Sequence, residues 1–196
     1  MPNPATQSRA RRGRIYELFV LGELIGGPHH GYLLHEILGK ILGPFRKASW
    51  GALYPLIHRL EEDGLIVPDK QKKSSDSDGK RSRRYLYRIT KAGRDRFQEL
   101  IVEPVPYESY DADLFIGKLG YFDHITIEQQ RAILKHHQGY LQAQVDYLGK
   151  ALHQVMANTE IPLQERKRIQ WVTEFRSSRL EVEIAWVDKV LANLKL

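Results

Sequence analysis

Apolar positions in the first hundred residues recur at helical spacing and then switch to a period of two. Ile15, Leu18, Phe19, Gly22 and Ile25 predict a helix that Gly26, Gly27 and Pro28 stop. Tyr32, Leu33, Ile37 and Ile41 predict a second, short helix ended by Gly43 and Pro44. Leu53, Leu56, Ile57 and Leu60 fall at i, i+3, i+4, i+7, which is one core-facing stripe on a third helix. Ser49 is its N-cap and Gly64 its C-terminal stop. Pro55 lacks an N–H and kinks this helix unless it sits near the first turn. Residues 65–67 then predict a short strand, and Tyr85, Tyr87 and Ile89 form one face of a second. The polar stretch 68–84 between them, rich in Lys, Arg, Ser and Asp, is a long hairpin tip. Thr90 caps a following helix through Phe97, Leu100 and Ile101.

The second half has no strand pattern. Residues 103–110 contain two prolines and read as a linker, and 111–122 as one short helix. Thr126 and Gln129 make a capping-box pattern at the head of a long helix in which Leu134, Leu141, Leu148 and Val155 recur every seven residues. Residues 158–162 break the chain, and a last helix runs from about 163 to the end. On it, Leu180, Ile184, Val187, Leu191 and Leu194 alternate by four and three as a coiled-coil seam, and this seam is assigned to a dimer interface. Val172, Phe175, Arg179, Val182 and Trp186 trace a second seam beside it. One seam can pack on its own domain, and the other then needs a partner. The expected organisation is a basic arm (1–14), a helix–strand domain (15–102), a linker (103–110) and a helical domain (111–196).

Charge adds a direction to this picture. Residues 1–100 carry 19 Lys/Arg against 11 Asp/Glu, and residues 101–196 carry 11 against 13, so the net +6 of the chain arises in the first half. That asymmetry suits a polyanion-binding module joined to something else. The absence of cysteine excludes disulfides and thiolate chemistry and suits a cytoplasmic protein. No apolar run is long enough for a membrane span.

Three helices, a hairpin and a helix within about 85 residues describe a winged helix-turn-helix. The fold class is therefore mainly α with a small β wing, followed by an all-α, coiled-coil-like dimerisation domain. In a winged helix the third helix enters the major groove. Opposite its apolar stripe lie Gly51, Pro55 and His58, with Tyr54 and Arg59 beside them. Gly51 would let the backbone approach DNA, and Tyr54 would offer its hydroxyl to a phosphate. Trp50 sits nearer the stripe, where it either packs at the helix start or touches DNA. Arg9, Arg11, Arg12 and Arg14 either add phosphate contacts or form a solvated tail.

The ordered pieces His30-Gly31-Tyr32, Ser49-Trp50-Gly51-Ala52-Leu53-Tyr54-Pro55-Leu56, Arg59-Leu60-Glu61-Glu62-Asp63-Gly64-Leu65-Ile66, Arg83-Arg84-Tyr85-Leu86-Tyr87 and Thr90-Lys91-Ala92-Gly93 resemble successive signatures of the PadR family. The resemblance covers residues 15–100, and more loosely the helical half, which is similar to the dimerisation domain of the longer PadR subfamily. It implies a homodimeric repressor on double-stranded operator DNA. Tyr32 would contact phosphate, Ser49, Gly51 and Tyr54 would face DNA, and the wing would use Lys80, Arg81, Arg83 and Arg84. Some members release DNA on sensing phenolic acids or other aromatic compounds.

No enzyme and no cofactor is expected, because the chain has no phosphate-cradling glycine loop, nucleophile elbow or i, i+4 metal pair. The neighbours His29-His30 and His136-His137 would diverge by about 100° in a helix and are poor chelators. Tyr107, Tyr110, Phe115, Tyr121, Phe122, Tyr140, Tyr147, Trp171, Phe175 and Trp186 supply either core or the walls of a site for a small aromatic effector. The rival reading is a winged-helix module that binds proteins without specific DNA binding, but such a module has no need of the basic first half. RNA binding would require exposed stacking aromatics on the strands, where Tyr85 and Tyr87 are the candidates and more naturally pack under the wing.

Overall fold

The computed structural model describes residues 4–42, 50–69, 85–106 and 112–194, with side chains of the first stretch from 13 to 39. Its elements are α1 (Pro4–Gly26), β1 (His29–His30), α2 (Gly31–Leu42), α3 (Trp50–Glu62), β2 (Ile66–Asp69), β3 (Leu86–Ile89), α4 (Lys91–Val102), α5 (Ala112–Leu119), a 3-10 turn (Phe122–His124), α6 (Ile127–Ala157) and α7 (Leu163–Asn193). Two compact units form, Met1–His124 and Ile125–Leu196. The chain is thus mainly α with one small antiparallel sheet. Among the described residues no helix is long and apolar enough to cross a membrane.

In the first unit α1 is the central post, against which α2, α3, α4, α5 and β3 pack. Its residues Leu18, Phe19, Val20, Leu21 and Leu24 are buried with Leu34 and Leu38 of α2, Phe97, Leu100 and Ile101 of α4, and the expected stripe Leu53, Leu56, Ile57 and Leu60 of α3. The sheet has the order β1-β3-β2, with Ile66 opposite Ile89 and His29 opposite Tyr87. β1 has two residues and therefore no period to detect in the sequence. Tyr87 and Ile89 turn inward as the alternation requires, whereas Tyr85 is exposed.

The junction between α3 and α4 is built by its caps. Gly64 takes a φ of 69°, donates its N–H to the Glu61 carbonyl, and lets Leu65 N–H reach the Leu60 carbonyl at 2.9 Å. These two bonds are the Schellman stop that Gly64 implied. The Thr90 hydroxyl accepts the Gly93 N–H at 3.1 Å and donates to the Gly64 carbonyl at 2.8 Å. Thr90 N–H also bonds the Leu65 carbonyl at 3.0 Å. One threonine thereby starts α4 and ties it to the end of α3.

Two elements differ from expectation. Helix α1 starts at Pro4, so residues expected as an arm have helical backbone. The segment 111–122 is not one helix: α5 ends at Leu119, a turn passes Gly120, and a 3-10 turn follows. This segment belongs to the first unit rather than to the helical half. Tyr121 is the reason, since its hydroxyl donates to Glu23 Oε1 at 3.0 Å and its ring lies over Gly22 of α1, where no side chain intervenes.

The second unit is a hairpin of α6 and α7. The capping box at Thr126 and Gln129 is present, and Leu134, Leu141 and Leu148 are buried. Arg131 donates to the Leu194 carbonyl at 2.9 Å, and His137 Nε2 lies 2.9 Å from Glu183 Oε1, so partner numbers fall as α6 advances and the helices are antiparallel. Within this single chain Val187 is 0% exposed, and Leu180, Ile184, Leu191 and Leu194 are half-buried. The seam assigned to the dimer is therefore turned inward by the hairpin. The other seam stays outside: Phe175 is 67% exposed and Val182 73%, with Trp171, Val172 and Trp186 also exposed.

Candidate nucleic-acid interface

The outer face of α3 is the centre of the candidate site. Burial of Leu53, Leu56, Ile57 and Leu60 leaves Gly51, Ala52, Pro55, His58 and Arg59 in solvent. Pro55 lies in the second turn and supplies no N–H to the Gly51 carbonyl four residues earlier. Gly51 therefore presents open backbone on the side facing away from the core.

An aromatic ladder borders this face. The His35 ring of α2 lies on Trp50 with centroids 3.6 Å apart and planes 3° from parallel. Tyr54, one turn on, stacks with Trp50 at 4.9 Å and 18°. Trp50 remains 37% exposed. Tyr54 is half-buried, and its hydroxyl oxygen is enclosed without a hydrogen-bond partner among the described residues. The hydroxyl expected to reach a phosphate is thus turned away from solvent, towards Tyr87. Burial, and then the nearby Glu61 carboxylate, pushes the Tyr87 phenol up to about 12.

The start of α2 offers a second edge. Tyr32 is exposed in the first turn and stacks on His30 at 5.4 Å. The free N–H groups at this helix start favour an anion. His30 also enters β1, where it pairs with Leu86 of β3, so the wing base and the head of α2 are joined.

Ion pairs hold these elements in place. Glu17 of α1 accepts from Arg96 Nε of α4 at 2.8 Å, with Arg59 of α3 at 4.0 Å. The bond to Glu17 raises the Arg96 pKa further. Arg88 and Asp69 pair at 2.7 Å across β3 and β2. Arg14, for which the sequence left open a phosphate contact or a solvated tail, pairs with Glu103. Beside that pair the buried Lys118 donates Nζ to the Glu103 carbonyl at 2.6 Å, and burial, then the Arg14 charge, brings its pKa down to about 8.

The structure thus gathers Tyr32, Trp50, Gly51 and His58 on exposed positions of α2 and α3, and Tyr54 behind Trp50. Ser49, Lys80, Arg81, Arg83 and Arg84 lie outside the described residues. Sequence reasoning missed His35. It is fifteen residues from Trp50 on another helix, and no spacing rule connects the two.

Residues 20–99 match the model of the transcriptional regulator PadR-like family. No curated protein matches the chain. Among solved structures, Bacillus subtilis PadR in complex with operator DNA is similar at 18% identity, covering 91% of this chain and 98% of that one with a TM-score of 0.37. The same bacterium's PadR in complex with p-coumaric acid is similar at 17% identity, covering 92% and 98%, with a TM-score of 0.40. The Vibrio cholerae virulence activator AphA is similar at 20% identity, covering 92% and 97%, with a TM-score of 0.37.

Proposed function

We propose, from the match of residues 20–99 to the PadR-like family of transcriptional regulators, that the chain is a homodimeric repressor reading a near-palindromic operator. The match to this family supports DNA binding. The observation that carries the finer reading is the outer face of α3, where Gly51 and His58 stand exposed beside the Trp50 stack on a rigid core. Tyr32 at the head of α2 and the cationic wing residues Lys80, Arg81, Arg83 and Arg84 would hold phosphates, while α3 meets base edges. Tyr54, with its hydroxyl enclosed, supports Trp50 rather than touching DNA. Fluorescence anisotropy with the gene's own upstream duplex and a scrambled duplex tests this. Promoter-selective binding that weakens with salt supports the reading, and equal weak binding to both sinks it.

The dimer surface in this reading is the exposed stripe Trp171, Val172, Phe175, Val182 and Trp186 of α7. A second copy is the occupant that fits, because a symmetric pair of α7 helices lets each stripe cover the other. Phe115 and Tyr121 are core of the first unit, and Trp171, Phe175 and Trp186 belong to the dimer stripe, which leaves Tyr147 as the exposed aromatic outside that stripe, among the described residues of the second unit, for a small aromatic effector. Thermal shifts with hydroxycinnamic acids test that part, and a flat response removes it.

A further inference from the structure

We propose that Trp50 is a specificity-determining residue, whose indole N–H reads a hydrogen-bond acceptor on a base edge in the major groove while His35 fixes its orientation. The inference rests on the DNA-reading function proposed above and deepens it. Trp50 is the first residue of α3, the end of a recognition helix that approaches bases most closely. It is partly exposed, and its N–H finds no acceptor among the described residues. Its ring is not free to turn. His35 lies on it at 3.6 Å and Tyr54 runs nearly parallel to it at 4.9 Å, one held by α2 and the other by the next turn of α3. The ring is therefore ordered before DNA arrives, and little rotamer freedom is lost on binding.

Duplex DNA offers base edges, not faces, to a groove-bound side chain. An indole nitrogen can only donate. In the major groove guanine shows two acceptors, thymine one acceptor beside its methyl group, and adenine an acceptor next to a donor, while cytosine shows only a donor. A fixed donor at this point is met by guanine, thymine or adenine and rejects cytosine. The apolar rim of the same ring suits the thymine methyl. His35 acts through Trp50 and is a positioning residue.

The test is selection of binding sites from a random duplex pool by the full-length protein and its variants, with circular dichroism to establish folding. The wild type should yield a two-fold consensus with one position per half-site from which cytosine is excluded. Trp50→Phe keeps the stack and loses the donor, so it should keep the rest of the consensus and lose about fivefold preference at that position. His35→Ala should relax the same position and His35→Phe restore it. An unchanged consensus for Trp50→Phe overturns the proposal and leaves DNA reading intact. Equal weakening on all sequences overturns it too, because it makes the N–H a phosphate contact. No consensus from the wild type defeats the DNA-reading function and this inference together.

Discussion

At the scale of single residues, two glycines and one lysine show how tightly the first unit is set. A Cβ on Gly93 would strike the Leu65 carbonyl and the Ile89 side chain. That carbonyl is backbone, already held by Thr90 N–H, so it has little room to retreat. A Cβ on Gly22 would lie 2.5 Å from the Tyr121 ring. Gly93→Ala and Gly22→Ala should each destabilise by about 1–3 kcal/mol in chemical denaturation, with Gly93→Ala the more severe. Lys118 makes a pH prediction. Its folded pKa of about 8 lies below the ordinary 10.5, so between these values the unfolded chain binds more protons than the folded one. Stability from this group therefore rises with pH above about 8 and is flat below it. Lys118→Met should remove that rise between pH 8 and 10, read as the urea midpoint, below the range where Tyr87 titrates.

At the scale of elements, α7 carries two apolar faces with different work. Val187 is enclosed by the hairpin, and Phe175 faces out. Val187→Ala should unfold the second unit more easily, by about 2 kcal/mol from the methyl groups lost and the space left behind. If α7 pairs with a second copy as proposed, Phe175→Ala should leave the unfolding of the monomer almost unchanged and raise the dissociation constant of that pair in sedimentation equilibrium. The reverse pattern would return the interface to the Leu180 seam. Both seams were visible in the sequence. Which one faced α6 was not, because two stripes of similar apolarity differ only through the residues opposite them. His137 and Glu183 help settle it: they meet at 2.9 Å and bring that edge of α7 against α6.

At the scale of the whole molecule, the uneven charge determines the salt response. With the positive excess confined to residues 1–100, DNA affinity should fall steeply with salt, by a slope of about 0.9 for each phosphate neutralised. Arg81→Ala or Arg83→Ala should each lower that slope by about 1. Arg14→Ala should leave it unchanged, because Arg14 is already paired with Glu103. A lowered slope for Arg14→Ala would show that this pair opens on DNA.

Local rules alone determined the helices α2, α3, α4, α6 and α7, the stop at Gly64 and the caps at Thr90 and Thr126. Each depends on residues within a turn or two of one another: an apolar period, a hydroxyl three residues before an N–H, a glycine that tolerates positive φ. The outward face of α3 was legible for the same reason, because the stripe of Leu53, Leu56, Ile57 and Leu60 leaves one opposite side. Tertiary structure alone decided the rest. It brought His35 onto Trp50, enclosed the Tyr54 hydroxyl, drew α5 and Tyr121 onto α1, and turned Val187 inward. Each of these joins residues on separate elements through the packing of whole surfaces, and a linear pattern carries no record of which surface another element will cover.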